Sequence, residues 1–492
     1  MNILFLAYEV ESNAIAELSK YYSNKGHHCV ILNCDFWTFY SNKDFYKIYD
    51  QKCDNFYSLE EEYKNLDETK SPKDIDYEFL KSFEDKYDFK FNDLIRTDPI
   101  LYTSTHERDY YNIPPNFIKH KWAELLSKKL ENICIENKID TAVTINNNYF
   151  VKNLGYKIFP KLNIKYLSIL ATRIDDHFMV YDNFGIGSPE LITNNITNIN
   201  THLSDEAQDI IDSVVIKGLP AYKSHLIIVN KNKNNNFVKD LFGAMKNSFY
   251  LIKTHLLSIS KNKKYKNKYF APRPLKELLM PYRNDIFRKY FLENSNILKK
   301  NLPNDLSYYY YGLHFHPESA LLSYSKYHDE AEWILKICAD LDIDQYLVVK
   351  ENAQMLGQRH PSFYKRLSSI PNLIFLHPSL DSIALIKNSI GVIGLAGTLL
   401  IEANMLDKPA YVIAKPEYLA LSNVYKYSKY NLNNTPSGSK NNIKEYIQLI
   451  LKNGLKLDMI FILYNPYSKD YNYENWSSEV MKLTVLLDRF IG

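Results

Sequence analysis

Between residues 308 and 414 the chain repeats one short period: an apolar, β-branched or aromatic run of four to eight residues, then an amphipathic stretch of helical length. The β-type runs lie at 308–315, 346–350, 373–376, 391–394 and 410–414, and the helical stretches at 329–341, 362–369, 382–388 and 399–405. Runs that are apolar on both faces, each followed by a helix, are the signature of a parallel sheet covered on both sides, because every parallel pair needs a crossover. The N-terminus has the same rhythm. Residues 3–7 form an apolar run, Ile15, Leu18, Tyr21 and Tyr22 keep helical spacing, Lys25-Gly26 stops the helix, and 29–32 supply a second strand. The expected fold is therefore α/β, with two doubly wound, Rossmann-like domains.

At roughly 150 residues per domain, 492 residues favour two or three domains. The first is expected over 1–190, with strands at 141–145 and 165–170 and an acidic, aromatic insertion at about 54–93 that reads as helical and solvated. Residues 191–306 read as a helical connector with an N-cap at Ser204, a helix over 237–257 and a basic run over 261–268. The second α/β domain is expected over 307–492.

Composition narrows the function classes. With 46% hydrophobic and 14% aromatic residues the chain can bury large cores, which excludes global disorder. A net charge of +3 is too balanced for a protein that coats nucleic acid. Five cysteines without a C-x-x-C pair give neither a disulfide framework nor a thiolate zinc site, so no metal is expected and a reducing, cytoplasmic setting is. Residues 3–7 lack the basic flank of a signal peptide. The longest apolar run, 390–401, falls short of the ~20 residues a spanning helix needs.

Ligands of open parallel sheets bind beyond the C-terminal strand ends. In the second domain those loops carry His314, His316 and Glu318; Lys350, Glu351 and Asn352; His377, Pro378, Ser379 and Ser382; and Gly397 and Thr398, leading into a helix with Glu402. Gly397 permits close approach of a ligand, and Thr398 adds a hydroxyl at a helix N-terminus suited to phosphate. His377 and Ser379 offer donors to phosphate, Lys350 offers charge, and Glu402 offers acceptors for two ribose hydroxyls. Each feature has a plainer alternative: Gly-Thr as a turn and cap, His-Pro as a turn, Glu402 as a complement to the helix dipole. In the first domain, Arg173-Ile-Asp175-Asp176-His-Phe178 follows a strand, and Asp175 or Asp176 could serve as base or nucleophile. A solvated turn is the alternative, and Glu9 and Glu11 rank below them. The D-x-D spacing in 340–344 and the pair His27-His28 lie on the wrong side of their sheets and read as solvated loops.

The run from Leu313-His-Phe-His-Pro-Glu-Ser319 through Val349-Lys-Glu351, Gly357-Gln-Arg359, Phe363-Tyr364, Pro371-Asn372, Pro378, Asp381-Ser382, Ile386-Lys-Asn-Ser389, Gly397-Thr398, Glu402-Ala403 and Lys408-Pro409 resembles the capsule polysaccharide biosynthesis family. That family includes Kdo-transferase-like glycosyltransferases of bacterial surface polysaccharides. The resemblance spans 310–420 and keeps motif order and spacing. It implies a GT-B-like enzyme whose C-terminal domain holds a nucleotide-sugar donor, CMP-Kdo being the best-known type, while the N-terminal domain presents the acceptor and the catalytic groups. His316 and Glu318 would face the sugar. No cofactor is implied beyond the nucleotide-sugar substrate.

Three departures stand out. His316-Pro-Glu318 replaces Gln-Pro-Glu, Lys350-Glu-Asn-Ala353 replaces Lys-Glu-His-Pro, and Ala396-Gly-Thr-Leu-Leu400 replaces Thr-Gly-Thr-x-Gly. They leave open a nucleotide-sugar epimerase on the same scaffold, or a non-catalytic assembly protein. The partners implied are a nucleotide-sugar donor and a glycan or glycolipid acceptor, with no nucleic acid. The basic run 261–268 allows peripheral contact with the inner face of the cytoplasmic membrane, with a solvated surface as its plainer reading.

Overall fold

The computed structural model describes residues 1–8, 11–34, 53–98, 114–146, 149–182, 204–221, 274–293, 297–303, 305–315, 329–434, 441–464 and 471–491, with isolated positions between 241 and 252 and at 466. Five apolar strands assemble the first sheet in parallel: β1 (Asn2–Ala7), β2 (His28–Asn33), β3 (Asn55–Ser58), β4 (Thr141–Ile145) and β5 (Lys165–Ala171). Their spatial order is β3-β2-β1-β4-β5, and β6 (His177–Asp182) turns back antiparallel on β5. The second sheet is wholly parallel. It contains β7 (Tyr308–Gly312), β8 (Tyr346–Lys350), β9 (Leu373–Leu376), β10 (Gly391–Gly394), β11 (Ala410–Val412) and β12 (Val424–Lys426), in the order β12-β11-β10-β7-β8-β9. Each sheet reverses its winding once, between β1 and β4 and between β7 and β10. Such switch points open crevices beyond the strand ends.

The tyrosines of β7 show how sequence sets this core. Tyr308 to Tyr311 are all buried, alternating between the two faces of the sheet. Three of their hydroxyls find partners: Leu385 O at 2.8 Å for Tyr308, Ser382 Oγ at 3.3 Å for Tyr310 and Glu330 Oε1 at 3.1 Å for Tyr311. Buried phenols without such acceptors would be costly.

The expected domain limits need two corrections. The chain does not stay in the second domain to its end. After the helix Ile443–Asn453, β13 (Leu455–Lys456) pairs antiparallel with β6 in the first sheet. The helix Tyr473–Ile491 then packs Trp476, Val480, Leu483 and Leu487 against Ala14, Leu18 and Tyr22 of the helix Ser12–Asn24. Asp488 accepts from both Tyr21 and Tyr22 at 3.0 and 2.9 Å. Second, residues 54–93 are no solvated insertion. They supply β3, and the helices Glu60–Glu68 and Tyr77–Tyr87 bury Leu66, Leu80, Phe83 and Tyr87 in the first domain's core. Alternating acidic and aromatic residues there reflect helices with one wet and one dry face.

The described connector is helical over Ser204–Val215 and Pro274–Glu293, and it is built into both domains. Ala207, Ile210 and Val214 lie in one apolar cluster with Met179 and Tyr181 of β6 and with Tyr310, Ile383 and Ile401 of the second domain. The helix Pro274–Glu293 rests against Gly357, whose φ is +84°; a Cβ there would meet Asn284 O at 2.5 Å and Arg288 N at 3.0 Å. Gly357→Ala is therefore expected to cost about 1–3 kcal/mol, from left-handed strain and a forced shift of that helix. Urea unfolding would measure the loss, and faster proteolysis within 274–293 would locate it.

Candidate functional site

The site forms where the strand ends of the two sheets meet. From the first sheet comes the turn joining β5 to β6, in which Arg173, Asp175 and Asp176 all take positive φ, at 66°, 40° and 58°. Non-glycine residues in this region cost of order 1 kcal/mol or more each, so the turn must be held from outside. It is. Thr172 Oγ1 donates to His177 O at 2.8 Å, and Asp175 N donates to Ala221 O at 2.8 Å. The Asp175 carboxylate pairs with Lys456 Nζ at 2.6 Å, and Leu457 N donates to Asp176 O at 3.2 Å. The return of the C-terminal segment thus fixes the very turn that carries the two candidate carboxylates.

From the second sheet comes the loop after β10. Gly397, at φ +113°, starts the helix Thr398–Met405, and no side chain caps it. Its N–H donates to Tyr418 Oη at 2.8 Å, and Arg173 Nη1 reaches the same oxygen at 3.3 Å, its guanidinium 5.6 Å from the ring centroid. A cation from the first domain and a helix N-terminus from the second so converge on one phenol. Burial pushes the Tyr418 hydroxyl's pKa well up, with Arg173 opposing, so it stays a neutral phenol.

A second group sits beside this one. Lys350 Nζ donates to Leu380 O at 2.8 Å and to Ser382 Oγ, which also accepts from Tyr310. Burial lowers the Lys350 ammonium to about 8, while Asp381 and Glu402 pull it back up. Glu402 is buried, its carboxyl raised by desolvation, and its Oε1 accepts from Ala221 N at 3.0 Å. Ala221 therefore joins the two domains through its own backbone, with N–H to Glu402 and C=O from Asp175. The structure brings Lys350, Ser382, Gly397, Thr398 and Glu402 to one edge, opposite Asp175 and Asp176.

Other candidates have different surroundings. His314 is buried, with Nδ1 2.9 Å from Glu330 Oε1 and Nε2 2.8 Å from Ala396 O, so both ring nitrogens are engaged in tying the two loops of the switch point together. Glu351 is fully buried and accepts from Arg359 Nε at 3.1 Å, from Asn352 N at 2.6 Å and from Tyr364 Oη. Arg359 in turn donates to His314 O at 3.0 Å and stands 3.7 Å from Glu330. His314 and Glu351, expected to touch the donor, thus form a buried brace beneath the loops. Asn352 Oδ1 caps a turn by accepting from Gln354 N at 2.9 Å. His377 Nδ1 accepts from Ser379 N at 3.2 Å and lies 2.7 Å from Ser379 Oγ, in a turn built around Pro378. His360-Pro-Ser362 repeats that turn with nearly the same distances at the start of another helix, so this local bonding belongs to the tripeptide. His316, Glu318, Glu9 and the run 261–268 lie outside the described residues.

Sequence reasoning missed Arg359, Tyr418 and Ala221 as parts of this assembly. It also ranked Glu11 low, which at the first sheet's switch point is buried against Lys152 and accepts from Asn146 Nδ2 at 3.4 Å. Only Arg359 had a signal, standing in the Gly357-Gln-Arg359 motif.

The two doubly wound sheets, their opposed strand ends and the C-terminal return define an α/β protein of GT-B-like build. No protein-family model matches the chain, and no curated protein does. Among solved structures it is similar to the β-Kdo 2,7 transferase of Thermosulfurimonas dismutans KpsC, at 12% identity over 73% of this chain and 89% of that one, with a TM-score of 0.33. It is also similar to the UDP-GlcNAc 2-epimerase of Neisseria meningitidis bound to UDP-GlcNAc, at 12% identity over 99% and 100% of the chains, with a TM-score of 0.25. The β-Kdo 2,4 transferase of the same KpsC is 9% identical over 63% of this chain and 78% of that one, with a TM-score of 0.30. Identities and TM-scores this low carry no activity over to this chain.

Proposed function

We propose that the protein is a nucleotide-sugar-dependent glycosyltransferase that passes a sugar to a glycan or glycolipid hydroxyl. One observation carries the reading: Arg173 and the Gly397–Thr398 helix start meet across the domain junction at Tyr418. A guanidinium beside uncapped backbone N–H groups is an arrangement that binds a diphosphate and stabilises charge growing on it as it departs. Lys350 and Ser382 extend the cationic, hydroxyl-bearing edge, and Glu402 is the acceptor for ribose. Asp175 and Asp176 supply the carboxylate that takes the acceptor's proton as its oxygen attacks the anomeric carbon and the bond to phosphate breaks.

Titration calorimetry with CMP, UDP and GDP at pH 7 tests this, with saturable binding of one of them expected. Because the fold lowers Lys350 to about 8, its ammonium is present below that pH and lost above it. Affinity should therefore fall as pH rises through about 8, by up to roughly tenfold for a lost charged contact, and Lys350→Met should flatten the profile. Product analysis then separates the chemistries: a transferase consumes donor only with acceptor present, whereas an epimerase converts donor alone. Absence of binding by all three nucleotides would end the proposal.

A further inference from the structure

The connector carries a surface that the site does not use. Phe242, Met245, Phe249 and Ile252 are helical and exposed, at 66%, 51%, 72% and 45%. Steps of three and four residues put all four within about 80° of one helix face. A soluble helix buries such a stripe, and this one is open. The helix Pro274–Glu293 repeats the pattern, with Leu279, Tyr282 and Ile286 exposed at the same spacing.

Charge says what covers it. Residues 222–276 contain 13 Lys and Arg against one Asp, so this stretch alone is far more basic than the whole chain's net +3. The excess is placed where an interface needs it. Lys239, Lys246 and Lys253 recur every seven residues beside the apolar positions, and the run 261–268 follows directly. Long lysine stems can lie along apolar surface while their ammonium groups reach a charged layer. A protein partner would match an apolar stripe with an apolar groove and would have no need of thirteen cations. A bilayer with anionic headgroups needs both at once.

We infer that the segment 237–276 docks the protein on an anionic phospholipid surface, with Phe242, Met245, Phe249 and Ile252 entering the headgroup–acyl boundary and the lysines engaging the phosphates. The contact is interfacial. No helix among the described residues is long and apolar enough to cross a membrane.

Co-sedimentation of the full chain with two kinds of vesicle tests this: phosphatidylcholine alone, and phosphatidylcholine with one third phosphatidylglycerol. Binding is expected only to the second kind, weakening with added salt. Phe242→Ser with Phe249→Ser should lower it by about tenfold per Phe removed. Neutralising Lys263, Lys264, Lys266 and Lys268 to Gln should lower it by about fivefold per lysine. Unchanged thermal midpoints in both variants would show that the fold is intact. Equal binding to both vesicles, no binding to either, or full binding by the Phe variant would each overturn the inference. So would sedimentation velocity showing a dimer that the Phe variant abolishes, because a second copy would then cover the stripe. No nucleotide is present in these assays, so their outcome is independent of the proposed reaction.

Discussion

Arg359→Met is expected to remove about 3–5 kcal/mol of stability, read as a lower urea midpoint. Arg359 is fully buried, and its guanidinium is the countercharge for Glu351 at 3.1 Å and for Glu330 at 3.7 Å, both inaccessible to water. Methionine fills much of the volume but strands two carboxylates. One of them must then take up a proton or admit solvent. Arg359→Lys should recover little, because a single ammonium cannot reach Glu351, Glu330 and His314 O together. Adding Glu351→Gln to Arg359→Met should restore part of the loss. Near-wild-type stability of Arg359→Met alone would show that these carboxylates carry no charge in the fold.

Arg173→Ala is expected to raise the Kd for the bound nucleotide by about tenfold to a hundredfold, the value of one charge-assisted contact of roughly 1.5–3 kcal/mol. Arg173→Gly separates ligand binding from folding. Glycine adopts the native φ of 66° without strain, so this variant should lose affinity equally while keeping or gaining stability. Tyr418→Phe leaves the Gly397 N–H without its acceptor and should weaken binding less. Unchanged affinity in both Arg173 variants would remove Arg173 from the site.

Much of this architecture was legible from residue pattern alone. The parallel strands β7, β8, β9 and β10 announce themselves as apolar runs bounded by helices, and the strand-end rule then leads to Lys350, Ser382, Gly397 and Glu402. Where periodicity is absent, the reading fails for physical reasons. β13 is two residues long and pairs with His177 and Phe178, far away in sequence, so no local pattern marks it. β3 is a mixed edge strand whose acidic flanks disguise it. His314 looks like an outward donor until Glu330 and Ala396 are seen to occupy both its nitrogens. Ala221 has no functional side chain at all; what matters is a backbone N–H, which residue type never reveals.

That backbone contact has a consequence for any ligand of Glu402. An amide held on the carboxylate by the chain itself acts as an intramolecular competitor, present at the high effective concentration that tethering confers. A hydroxyl arriving at Glu402 must evict it, and eviction also withdraws the carbonyl that steadies Asp175. Occupancy on one domain would thereby loosen the carboxylate-bearing turn of the other.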